Sequence, residues 1–171
     1  KLLKDSDIVK DPEDQLRIIG YLPLLPKEIK KLYSAKANGC SSKKFHELCD
    51  RQGATLTIIK STKGYIFGGY TERSWYNFNC NWQYYRAQDH HSFVFSVNRK
   101  VRDMDGNFTS VLKDPMKGPV FGPMIEIADN GCENEDSFTT VNPMYKQVQL
   151  QDYTEFKEEH FKIEDYEAAI K

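Results

Sequence analysis

The chain changes its hydrophobic period at residue 54, and that change constrains the fold more than any other feature. Up to Gly53, apolar residues recur at helical spacing. From Ala54 they form short β-branched or aromatic runs bounded by glycines. Ala54-Thr55-Leu56-Thr57-Ile58-Ile59-Lys60, a turn at Ser61-Thr62-Lys63-Gly64, and Tyr65-Ile66-Phe67-Gly68-Gly69-Tyr70 read as a hairpin. A Gly68-Gly69 pair inside a strand predicts either a bulge or the close approach of another backbone. Phe93-Val94-Phe95-Ser96-Val97 reads as a buried strand, and Asp103-Met104-Asp105-Gly106-Asn107 as a tight turn. Further strands are expected at Val120-Phe121, Met124–Ala128, Val148–Leu150 and Phe161–Ala168. Helices first and strands afterwards predict an α+β domain, an antiparallel sheet or sandwich carrying helices at one side.

Three helical segments are expected before residue 54. Asp11-Pro12-Glu13-Asp14 is a helix start: an aspartate cap, a proline at the first position and acids at the positive end of the dipole. Pro26-Lys27-Glu28 opens a second segment, with Ile29, Leu32 and Tyr33 on one face. Asn38-Gly39 is a turn, and Ser41 or Ser42 caps a third helix on which Phe45, Leu48 and Cys49 share a face and His46, Glu47 and Asp50 point elsewhere. The 171 residues are read as one domain, 1–53 a mainly helical lead and 54–171 mainly β. The chain begins Lys1-Leu2-Leu3-Lys4 without a signal peptide or starting Met, so it is expected to be processed or part of something longer.

Composition excludes several classes. Hydrophobic residues at 39% against 29% charged argue against wholesale disorder. A net charge of -1 does not suit a protein held to nucleic acid by phosphate neutralisation. No stretch approaches the roughly 20 apolar residues of a membrane span, so no membrane insertion is expected. The neutral total hides a split: residues 27–63 carry net +6 and residues 126–171 net -8. On opposite faces these would make the domain electrically two-sided; packed together they would satisfy each other.

Motifs for chemistry are scarce. Neither G-x-G-x-x-G nor G-x-x-x-x-G-K-[ST] nor G-x-S-x-G is present, and no cofactor is expected. His46 and Cys49 are three apart, but Cys49 lies on the apolar face and His46 does not, which argues for a buried structural thiol and against a metal pair. His90 and His91 are adjacent and point apart in a solvated loop. Asp103-x-Asp105-Gly106-Asn107 resembles a calcium loop with its glycine at the wrong position. Asp129, Glu133, Glu135 and Asp136 read as a solvated acidic loop. Cys40, Cys49, Cys80 and Cys132 are scattered and read as free thiols in a reducing compartment.

Residues 75–86 hold six aromatics in twelve positions. The first reading is that these side chains, Trp75 above all, cover the sheet. Trp82, Tyr84, Tyr85 and Arg86 are candidate partner contacts, since Trp, Tyr and Arg dominate interface hot spots. Base stacking is disfavoured by the net charge.

Several blocks resemble the TLDc domain family in its divergent protist branch. They are Lys31-Leu32-Tyr33-Ser34-Ala35, the run from Asn38 through Phe45-His46-Glu47-Leu48-Cys49-Asp50, Gly64-Tyr65-Ile66-Phe67-Gly68-Gly69-Tyr70-Thr71 up to Trp75, Ser92-Phe93-Val94-Phe95-Ser96-Val97, Lys117-Gly118-Pro119-Val120-Phe121-Gly122, and Phe161–Glu167. The family motif residues are thus Phe45, Cys49, Phe67, Gly68, Gly69, Trp75, Phe95, Gly118, Pro119, Phe121, Gly122 and Glu167. No metal site is expected from the motifs above, and the resemblance implies an α+β fold, a two-sheet antiparallel β-sandwich flanked by short helices, with no catalytic machinery. It implies links to oxidative-stress resistance and to the cytosolic V1 sector of the V-type ATPase. The expected role is docking onto a large cytosolic assembly, with that sector or axonemal microtubule proteins of a cilium as candidate partners. The matching location is cytoplasmic, at the cytoskeleton or the cytosolic face of acidic organelles. The alternative is a hydrolase or thiol redox enzyme using Cys80 or a C-terminal carboxylate such as Glu167. The stretch after Gly122, residues 99–117 and residues 129–147 depart from the family pattern.

Overall fold

The computed structural model describes residues 3–75, 85–102, 110–122, 124–139 and 159–170. The expected strand at 148–150, the turn at 103–107 and Cys80 lie outside them.

Helix α1 (Pro12–Gly20) starts as expected, with the Asp11 carboxylate accepting from the Glu13 amide at 2.8 Å. Strand β1 (Lys30–Ser34) and helices α2 (Ala35–Asn38) and α3 (Ser42–Cys49) follow. Ser41 caps α3, its hydroxyl accepting from the Lys44 amide at 3.2 Å. The hairpin is β2 (Thr55–Ser61) with β3 (Ile66–Thr71). The later strands are β4 (Tyr85–Gln88), β5 (Phe93–Ser96), β6 (Val101–Arg102), β7 (Ser110–Lys113), β8 (Val120–Phe121), β9 (Ile125–Glu126), β10 (Ser137–Thr139), β11 (Glu159–Phe161) and β12 (Ile163–Ile170). They form two antiparallel six-stranded sheets, ordered β1-β12-β2-β3-β5-β6 and β11-β10-β9-β8-β7-β4. This is the α+β sandwich with flanking short helices.

The first sheet is covered on both faces. On one, Tyr33, Phe45, Ile59, Phe67, Phe121, Ile125, Phe161 and Tyr166 fill the space between the sheets. On the other, Leu3, Ile8, Val9, Ile18 and Ile19 from the N-terminal segment and α1 pack on Leu56, Ile58, Tyr70, Phe93 and Phe95. Residues 55–59 of β2 are therefore all buried rather than alternating. The glycine pair is a close approach, not a bulge. Gly68 and Gly69 stay in register with Ile58 and Thr57. A Cβ on Gly68 would stand 2.0 Å from the Thr57 carbonyl oxygen, and one on Gly69 would stand 2.7 Å from Phe121 Cε1. Trp75 is 1% exposed, and its indole N–H donates to Thr55 Oγ1 at 2.8 Å.

Three expectations need correction. Pro26–Tyr33 is not a helix; Lys30–Ser34 is an edge strand on β12. Between Lys31 and Tyr33, two β1 residues advance against one on β12, so a bulge at Leu32 turns Leu32 and Tyr33 to the same inter-sheet cluster, while Ile29 packs in the cluster on the other face of the sheet; tertiary pairing decides the conformation. Phe161–Ala168 is not one strand. The chain crosses between the sheets at Lys162, whose carbonyl accepts from the Thr62 amide at 2.9 Å, so β11 and β12 belong to different sheets. The cysteines are not all free thiols. Cys40 and Cys132 form a disulfide across 92 residues, with Cα atoms 6.0 Å apart. No spacing rule points to this pair. It arises because Asp129 Oδ1 accepts from the Ser42 amide at 2.7 Å and hydroxyl at 3.0 Å, which brings the acidic loop onto the start of α3. Cys49 is a buried free thiol held protonated by burial. Among the described residues, no helix is long and apolar enough to cross a membrane.

Candidate interaction surface

The anticipated partner residues divide between described and undescribed chain. Trp82 and Tyr84 lie outside the described residues. Tyr85 and Arg86 begin β4, the outermost strand of the second sheet, in register with Lys113 and Leu112 of β7. A terminal strand carries backbone donors and acceptors on its second side, the usual template for an added strand.

The chain enters and leaves this region through a tied neck. Asp89, directly after β4, is 4% exposed. Its Oδ2 accepts from Thr71 Oγ1 and from the Glu72 amide, both at 2.7 Å, and its Oδ1 accepts from the His91 amide at 3.1 Å. One carboxylate thus joins the end of β3 to the β4–β5 turn. His91 is exposed as expected, but it does not stand alone: its Nδ1 lies 2.8 Å from Glu72 Oε2. The sequence reading missed this cluster, because Glu72 and Asp89 are 17 residues apart and only the β3–β5 pairing brings them together.

A second polar group faces the approach to β8. His46 does leave the apolar face of α3, yet it is not solvated; its side chain is 12% exposed. Nδ1 meets Asp50 Oδ1 at 2.7 Å, while Nε2 meets the carbonyls of Asp114 at 3.0 Å and Lys117 at 2.8 Å. All three partners are acceptors, so the ring satisfies them fully only as the doubly protonated imidazolium. Burial opposes that charge, but Asp50 and the two carbonyls outweigh it, and the pKa is raised above the ordinary 6.5. The adjoining motif residues serve the backbone. A Cβ on Gly118 would meet Ile127 Cγ2 at 2.9 Å, the Pro119 carbonyl accepts from the Ile127 amide at 3.2 Å, and Gly122 turns β8 into β9 at φ +54°.

Glu167 is a second buried, tied carboxylate. It is 3% exposed, and its Oε1 accepts from the Ser6 hydroxyl at 2.7 Å and from the Asp7 and Ile8 amides at 2.9 Å. The Lys31 ammonium stands 3.7 Å from Oε2. Burial raises its pKa, against the pull of the Ser6 and Ile8 hydrogen bonds and Lys31. The N-terminal segment is locked to β12 by this group.

These contacts decide the charge split. Asp165 accepts from the Lys36 amide at 2.9 Å, Glu164 pairs with Lys60 at 2.9 Å, Glu167 faces Lys31, and Asp129 holds Ser42. Because β12 lies between β1 and β2, the basic and acidic stretches are neighbours and neutralise each other in part. Among the described residues, the two stretches are not segregated to opposite faces. The exposed apolar residues include Leu24 (71%) and Leu25 (76%), held between Pro23 and Pro26 and followed by exposed Lys27 and Lys30.

Comparison with known proteins places this architecture. The MTOR-associated protein MEAK7 of Danio rerio is 40% identical over 57 residues, a match covering 31% of this chain and 13% of that relative. The sequence model of the TLDc domain matches residues 3–168. The sandwich, its locked glycine pair and the match over nearly the whole length agree: this chain belongs to the TLDc domain family.

Proposed function

We propose that this chain is a non-enzymatic protein-interaction domain that docks onto a large cytosolic assembly. The observation that carries this reading is the state of Glu167. The carboxylate an acid–base enzyme would draw from the C-terminal strand is 3% exposed, with three donors on one oxygen. It holds the N-terminal segment to β12 through Oε1, and Oε2 faces the Lys31 ammonium at 3.7 Å, the arrangement of a structural anchor. Family membership and a relative named as associated with MTOR support docking as the role. The candidate surfaces are Leu24 and Leu25 with Lys27 and Lys30, and the β4 edge where Tyr85 and Arg86 begin. The candidate assemblies are the V1 sector of the V-type ATPase, which the family resemblance implies along with a link to oxidative-stress resistance, and axonemal microtubules. Docking on V1 would put the domain at the cytosolic face of acidic organelles.

The test adds the purified chain to V-ATPase and separately to doublet microtubules. A changed rate of ATP hydrolysis or holoenzyme assembly supports the first partner. Stable co-sedimentation without an effect on the ATPase supports the second. In either case Leu24→Ser with Leu25→Ser should weaken the association. Failure to bind either assembly would remove the docking reading. Glu167→Gln separates it from the enzyme alternative: an acceptor oxygen survives, so the expected change is in stability, about 1 kcal/mol, with no turnover lost.

A further inference from the structure

Glu72, Asp89 and His91 present one donor atom each, all within 4.8 Å of one another. They come from the end of β3, the end of β4 and the turn between β4 and β5. Asp89 is the buried floor of the group, and its three hydrogen bonds to Thr71 and to the Glu72 and His91 amides fix its orientation. A carboxylate has about four lone-pair directions, so one remains for a further partner. Fixing a ligand in this way is what the outer shell of a metal site does. Glu72 and His91 form the rim, with side chains 37% and 63% exposed and 2.8 Å apart. Donors about 2.1 Å from a small cation stand roughly 3.0–3.4 Å from one another, so this pair already has nearly the required separation. The remaining distance to Asp89 is closed by side-chain rotation of two exposed residues. Charge points the same way. Among the described residues, no Lys or Arg forms an ion pair with Glu72 or Asp89, in contrast to Glu167 with Lys31 and Glu164 with Lys60.

We propose that Glu72, Asp89 and His91 bind a first-row divalent cation of the zinc type, with one position left open to solvent. The imidazole nitrogen in the donor set favours such an ion over calcium or magnesium, which take oxygen ligands. Binding replaces the His91–Glu72 hydrogen bond and ties the end of β3 to the β4–β5 turn. These are the two points that bracket the aromatic sequence 75–86, so the cation would set the neck of one proposed docking surface.

The test is calorimetric titration of the metal-free chain with Zn²⁺, in a Cys80→Ser background that removes a competing thiolate. The expected result is saturable one-to-one binding, weakened at least about 10-fold in His91→Gln and in Glu72→Gln and altered less than about 2-fold in His90→Gln. Magnesium should give no saturable heat. Absence of one-to-one zinc binding, or binding that His91→Gln and Glu72→Gln leave intact, overturns the site. A readout on the unmutated rim avoids dependence on variant folding. Zinc should shift the imidazole resonances of His91 at the first equivalent, before those of His46 and His160. A shift appearing first at another histidine also overturns it.

Discussion

The two sheets of this sandwich are held by different means. The first is packed on both faces: β2 is buried along residues 55–59, between the inter-sheet aromatics and the layer built from α1 and the N-terminal segment. The described strands of the second are short, with β8 and β9 two residues each and β10 three. Val120, Phe121, Ile125, Ser137 and Thr139 of these strands are buried, but each strand offers few positions, and specific polar anchors reinforce them. Ser137 Oγ accepts from the Ala128 amide at 3.0 Å, Thr139 Oγ1 donates to the Met124 carbonyl at 3.0 Å, His46 grips the carbonyls of Asp114 and Lys117, and the Cys40–Cys132 bond ties in the loop before β10. The first sheet should therefore fail through sterics, and the second through loss of single anchors.

The largest effect is expected from Gly68→Ala. The added methyl meets the backbone oxygen of Thr57, which belongs to the paired strand and has nowhere to move. Unfolding in denaturant should show a loss of about 3 kcal/mol or more. A cost below about 1 kcal/mol would break the picture of a sheet packed to its limit on both faces.

Removing the disulfide with Cys40→Ser should cost about 2–4 kcal/mol. Hydrogen exchange locates the damage: amides of the 129–139 stretch should lose protection while those of β2 and β3 keep it. Equal loss in both sheets would show that the two are not separately anchored.

The smallest effect is that of His46, and it is pH-dependent. Its pKa is raised in the folded chain, so its contribution is complete below the ordinary value of 6.5 and is lost as pH rises through the folded value. His46→Gln should cost about 1 kcal/mol at pH 6 and close to nothing at high pH. A penalty independent of pH would mean that the ring acts as a neutral spacer. Burial raises the pKa of Glu167 too, and its contribution likewise falls with rising pH, in a window that opens lower, above the ordinary carboxylate value of 4.5.

What could be read in advance follows the same division. The hairpin, Trp75, the buried Phe93 strand and the capped start of α1 are local signals, in which neighbouring residues carry the information. The β-branched run of β2 was legible as a strand, but its burial on both faces was not, because the layer of α1 and the N-terminal segment that covers it is distant in sequence. The second sheet was harder to read. Residues 163–170 and 159–161 look like one strand because the corner at Lys162 depends on Thr62 and Gly131, each distant in sequence. Glu72, Asp89 and His91 were invisible as a group for the same reason, and the helical spacing of Ile29, Leu32 and Tyr33 misled because pairing with β12, not local period, decides the conformation of Lys30–Ser34.

The sequence by itself determined the α+β class and the β2–β3 hairpin, since period and turn residues are properties of short segments; the need for glycine at 68 and 69 comes from Thr57 and Phe121, which the fold brings against them. Tertiary structure alone decided that Lys30–Ser34 is a strand, that Cys40 finds Cys132, and that Glu167, His46 and Asp129 are anchors. It also decided that the basic and acidic stretches lie side by side, with β12 between β1 and β2. Each of these depends on the partner that long-range pairing brings within hydrogen-bond distance, and no local pattern encodes that partner.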